Sequence, residues 1–69
     1  MEYNNLKKYR EQKQLTIREL SEISGISMGY ICHLEHGTRN NPSKIVMQKI
    51  AKALGKNITE IFFWNLENK

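Results

Sequence analysis

The stretch TIRELSEISGISMGYICHLEHG, Thr16 to Gly37, decides the fold. It reads as two short helices joined by a tight turn. Thr16 is placed to cap the first, and Glu19 stands three residues on, which makes a capping box. Leu15 before the cap and Leu20 after it form a hydrophobic staple pair. Leu20 and Ile23 then supply the inward face of a helix over about 17–24. Gly25 follows, where a left-handed residue ends a helix at low cost. Ser27 is placed to cap a second helix over about 28–36, with Ile26 and Ile31 as its staple pair. Ile31, Leu34 and Glu35 fall on one side of it. Met28, Gly29, Cys32, His33 and His36 fall on or near the other, and Gly37 ends it.

Outward from that core the pattern stays helical. Asn4 or Asn5 can cap a first helix running to about Gln14, with Tyr3, Leu6 and Arg10 inward and Lys7, Lys8 and Lys13 outward. Thr38 to Asn41 is a polar loop. Ser43 can cap a fourth helix over about 44–54, whose inward positions Met47, Ile50, Ala51 and Leu54 are spaced three, four and seven. Ile45 and Val46 lie off that stripe as surplus apolar surface. Gly55 ends the helix, and Asn57 with Glu60 offers a cap pair for a fifth over about 58–63. Two helices joined by a short glycine-containing turn, the second with a non-core face, are the signature of a helix-turn-helix.

Composition narrows the function. Sixty-nine residues make one domain, with a core over about 5–63 and a tail, 65–69, expected to fray. A chain of this size buries about 60% of its unfolded surface, leaving no room for a deep active site. No apolar run approaches the ~20 residues of a membrane span, and the N-terminus shows no secretory signal. The single cysteine rules out an internal disulfide and fits a cytoplasmic setting. Eleven Lys and Arg against seven Asp and Glu give +4, which favours an anionic partner.

The run LTIRELSEISGISMGYICHLEHGTRNNPSKIVMQKIAKALG resembles the DNA-binding domain of the phage repressor and Cro-type helix-turn-helix family, the xenobiotic-response-element family. The matching features are Leu20, Ser21, Gly25, Ile31, Leu34-Glu35, Gly37, Asn41-Pro42-Ser43 and the segment from Ile50 to Gly55; the resemblance extends over about Leu6 to Phe62. It implies an all-α, compact five-helix bundle of the lambda-repressor-like DNA-binding type. It also implies a DNA-binding regulator and not an enzyme, with double-stranded DNA as partner, a homodimer, and no cofactor, metal or small-molecule ligand. Gln14 stands where the family often has glycine, so the turn before Leu15 is expected to be strained or differently shaped.

The resemblance also distributes roles. The outward face of the second motif helix enters a major groove, which admits one α-helix. Its base readers would be Met28, Gly29 and His33, with Ser27 and Cys32 at the margin. Met28 offers only apolar contact, as to a thymine methyl, and Gly29 only a close backbone approach. Phosphate contacts would come from Thr16 and Ile17 at a helix start, from Arg18, from Arg39, Asn40 and Lys44, and from His36 and Arg10. Ile17 replaces a family glutamine whose side chain holds a phosphate. The family pairs the arginine at this place with a glutamate late in the recognition helix, here Arg10 with Glu35; otherwise Arg10 is a surface charge facing phosphate. The surface near the last helix often forms the family's two-fold dimer, here Ile58, Phe62, Phe63 and Trp64.

Cys32, His33 and His36 are too few to complete a tetrahedral zinc site. The apolar C-terminal cluster leaves a second reading open: a protein-binding module such as an antitoxin or adaptor.

Overall fold

The computed structural model of the protein describes residues 4–37 and 42–62. Among these residues there are five helices and no strand: α1 (Leu6–Gln12), α2 (Ile17–Ser24), α3 (Met28–Glu35), α4 (Lys44–Leu54) and α5 (Ile58–Phe62). Tyr3, the loop 38–41, Phe63, Trp64 and the tail lie outside the described residues. None of the described helices is long and apolar enough to cross a membrane.

The motif forms for the reasons its sequence suggests. The Thr16 hydroxyl accepts from the Glu19 N–H at 3.0 Å, and the Thr16 N–H donates back to Glu19 Oε1 at 2.9 Å. Two of the amides that a helix start leaves without partners are thereby satisfied. Gly25 closes α2 at φ +78°, left-handed backbone that a Cβ would disfavour. Ser27 and Ser43 cap α3 and α4, accepting from the Tyr30 and Val46 N–H groups. His36 ends α3 as its cap and is not part of the helix.

The core takes side chains from every helix. Leu6 of α1, Leu20 of α2, Ile31 and Leu34 of α3, Ile50 and Leu54 of α4 and Ile61 of α5 are all fully buried. Burying such a side chain contributes roughly 1.5–3 kcal/mol. α2 packs on α3 and α4, and α1 and α5 close the other side. The chain start is tied down by hydrogen bonds from Asn4 Nδ2 to the Leu34 carbonyl and from the Asn5 N–H to the Ile61 carbonyl. Asn4 also caps α1, its Oδ1 accepting from the Leu6 N–H, whereas the Asn5 side chain makes no cap bond.

Two expectations fail on α2 and α4. Ile23 is not inward but 58% exposed. The buried direction of α2 is set by Leu20 and Ser24, one turn apart, and a residue three after Leu20 falls to one side of that line. Ser24 tolerates burial because its hydroxyl accepts from the Ile26 N–H at 3.2 Å. On α4, Val46 is half-buried against the core, so only Ile45, 63% exposed, is surplus apolar surface.

Arg10 is buried on the inward side of α1. Its Nε donates to Glu35 Oε2 at 2.6 Å, its Nη2 to Glu35 Oε1 at 3.2 Å, and its Nη1 to the Leu15 carbonyl at 2.7 Å. Such a two-pronged pairing fits the planar fork of arginine. The hydrogen bonding to Glu35 raises the arginine pKa above its already high ordinary value, outweighing the opposite effect of burial. Glu35→Ala would leave a buried guanidinium with only the Leu15 carbonyl. We expect a loss of about 3 kcal/mol in denaturant unfolding; an unchanged midpoint would contradict the role given to the pair.

Gln14, where the family often has glycine, keeps the left-handed backbone at φ +58°. For a residue with a Cβ this costs roughly 1–2 kcal/mol. Gln14→Gly is therefore expected to raise stability by about 1 kcal/mol, measured by the same unfolding curves; destabilisation would show that the Gln14 side chain contributes more than the strain removes.

Candidate nucleic-acid interface

The outward side of α3 follows from the inward one. Ile31 and Leu34 point into the core, so Gly29 and His33, one turn apart, face the solvent, and both are exposed. Met28 is 49% exposed and sits at the edge of that face. Cys32 is half-buried at the other edge. Ser27 is exposed, and because its oxygen accepts from the Tyr30 N–H its hydroxyl proton remains available to donate. Nothing lies within 4 Å of a Cβ built on Gly29, so this part of the face is open. The five residues expected to read bases thus lie on or beside one surface, with Ser27 and His33 as its exposed polar side chains.

α3 cannot tilt or slide freely. Glu35 near its end is held by Arg10, and the Leu34 carbonyl by Asn4. The helix that would enter the groove is therefore fixed at its far end by α1 and at its near end by the turn through Gly25.

The starts of the helices differ in how they would meet an anion. The first turns of α3 and α4 hold no acidic residue. Lys44 is the first residue of α4 and exposed, a position where a cation is unfavourable to the helix dipole. The start of α2 carries Glu19; the Thr16 N–H is engaged within the capping box, whereas its hydroxyl, which accepts there, keeps its proton to donate. The anchor at that helix is the Thr16 hydroxyl with the backbone amides of Ile17 and Arg18, beside a carboxylate. The Ile17 side chain packs against the core and offers nothing polar. Arg18 is exposed, its Nε 3.6 Å from Glu22, a pair too solvated to hold it in place.

Two of the proposed phosphate contacts change in character. Arg10 is not a surface charge: three of its nitrogens are engaged inside the protein, so it is removed from the set facing phosphate. His36 is exposed, but its Nδ1 lies 2.8 Å from the Cys32 carbonyl, which only accepts. Nδ1 is thereby turned back to its own helix, which leaves only the other ring nitrogen for a phosphate. Arg39 and Asn40 lie outside the described residues, as do Phe63 and Trp64 of the proposed dimer surface. Ile58 and Phe62 are half-buried against their own core, which leaves only part of each for a second copy.

Cys32 Sγ lies 3.5 Å from His36 Nδ1. Among the described residues no three His, Cys, Asp or Glu side chains come together as a metal site.

Residues 6–61 match the helix-turn-helix family of Cro/C1 type, and the chain belongs to it. Proteins of this family are DNA-binding transcriptional regulators, not enzymes. The chain is 35% identical over 54 residues to the transcriptional regulator SlrR of Bacillus subtilis, a match covering 78% of this chain and 36% of SlrR. It thus spans about a third of that regulator's length. Its fold resembles the restriction-modification controller protein C.AhdI of Aeromonas hydrophila, with TM-score 0.76 and 32% identity, covering 81% of this chain and 83% of that one. It also resembles the N-terminal DNA-binding domain of SinR from Bacillus subtilis, with TM-score 0.79 and 25% identity over 93% of this chain and 91% of that one.

The two kinds of contact are separable by salt. Lys44→Ala should weaken binding to all duplexes alike and lower the salt slope by about one unit. His33→Ala should instead relax discrimination at one base pair by roughly 1–3 kcal/mol with the slope unchanged. Titrations at several salt concentrations check both, and exchanged behaviour would reverse the assignments.

Proposed function

We propose that the chain is a sequence-specific, double-stranded-DNA-binding transcriptional regulator of the cytoplasm, a repressor acting as a homodimer on an inverted-repeat operator. The observation that carries this reading is the solvent-facing side of α3, Gly29 and His33 with Met28 at its edge, on a helix held by the Arg10–Glu35 pair. Ser27, Met28, Gly29, Cys32 and His33 would contact bases. Lys44, Arg18, Thr16 with the amides at the start of α2, Arg39 and Asn40 would contact phosphates. With one polar side chain at the centre of the face, direct readout is thin, and sequence-dependent DNA shape would supply much of the specificity. Occupying a major groove over a promoter is enough to repress.

A footprint this small gains affinity by pairing. A two-fold dimer sets two recognition helices about 34 Å apart, one turn of DNA. Phe63 and Trp64, with the exposed parts of Ile58 and Phe62, are the proposed contact. Selection of bound duplexes from a random pool should return an inverted repeat with half-sites one turn apart; no enrichment would turn the reading toward a protein-binding module. Trp64→Glu should give a folded monomer with much weaker operator binding, because a two-fold contact meets the same substitution on both sides. Sedimentation with circular dichroism checks this. A parent protein that stays monomeric at high concentration, with and without DNA, would end the dimer proposal.

A further inference from the structure

Three large hydrophobic side chains are exposed among the described residues: Met28, Ile23 and Ile45. Met28 lies at the recognition face of α3. The other two do not. Ile23 lines an open groove of about 390 Å³ between α2 and α4, together with Ser24, Lys49, Lys52 and Ala53. Ile45 stands one turn before Lys49 on the same side of α4, since positions 45, 49 and 52 follow helical spacing. The groove lining contains two lysines and no acidic residue, and among the described residues neither lysine is in an ion pair.

We propose that this groove docks an acidic amphipathic helix of another protein. Its apolar side chains would lie on Ile23 and Ala53, and its carboxylates would meet Lys49 and Lys52. Charge decides between this occupant and a second copy of the chain. A two-fold contact places a patch against itself, so Lys49 and Lys52 would face their own copies. A DNA duplex would be drawn to the lysines but would gain nothing from the exposed isoleucines. An acidic helix with an apolar stripe satisfies both features, and laying such a stripe into an apolar groove is a recurrent mode of recognition. None of the lining residues comes from α3. None is among the residues proposed above to contact DNA either, so the docked helix would use side chains of its own, beyond the DNA-binding role and independent of it.

The test uses the full chain labelled with nitrogen-15 and a synthetic helical peptide with leucines along one stripe and glutamates flanking it. The controls are a scrambled peptide of the same composition and a short non-specific duplex. The expected result is amide shifts centred on Ile23, Ser24, Lys49, Lys52 and Ala53. Binding should fall about tenfold in Ile23→Ser and again in Lys49→Glu. Both positions are exposed, and circular dichroism confirms that the variants fold. Absence of binding at millimolar peptide, or shifts centred elsewhere, overturns the proposal. Equal binding of the scrambled peptide overturns it by reducing the effect to bulk charge. The same amides shifting with the duplex would assign the face to nucleic acid, and loss of self-association in Ile23→Ser would assign it to a second copy.

Discussion

The guanidinium of Arg10 sits where three segments meet: the end of α1, the turn before α2 and the last turn of α3. A charge taken out of water must be matched on every side, or the site is very costly. Here the Glu35 carboxylate and the Leu15 carbonyl match it, so the three segments have little freedom to shift independently. Replacing such a pair by apolar residues is often neutral or stabilising. Its value to this chain is therefore better sought in geometry: it fixes the far end of α3, the helix whose outward face has to be presented to a partner.

Much of this was readable in the sequence because local rules and global packing agree. The capping box at Thr16, the serine caps at 27 and 43 and the stripe Met47, Ile50, Ala51 and Leu54 each follow from residues a few positions apart. What was not readable depends on partners distant in the chain. Asn4 looks like a cap and is one, but nothing local says that its amide reaches the Leu34 carbonyl. Ile23 looks like core because it is apolar and near Leu20, yet α2 turns Ser24 inward instead, and a serine that satisfies its own hydroxyl can occupy that place. The groove beside Ile23 depends on that same turn of α2, which the helical spacing of 45, 49 and 52 alone does not reveal.

The interface shows a similar division. Helical spacing places Gly29 and His33 outward without help from the fold. The groups proposed to face phosphate are different, because each depends on what else competes for its hydrogen bonds. Arg10 is consumed by the interior, and His36 turns one nitrogen back to its own helix. The start of α2 spends the Thr16 N–H on its cap but keeps the hydroxyl proton, and Lys44 is exposed at a helix start without a carboxylate. Charge counts in a sequence cannot reveal this competition.

The open space over Gly29 bears on how such a protein changes its target over time. A side chain added there meets no atom within 4 Å and would stand on the outward side of α3, the proposed recognition face. The backbone is helical there, so alanine in place of glycine would also lower the conformational entropy lost on folding. Most routes to new specificity trade stability for function; at this position the two point in the same direction. Duplicated copies of the gene could therefore diverge in the DNA they recognise by a single codon, without a compensating change in the core.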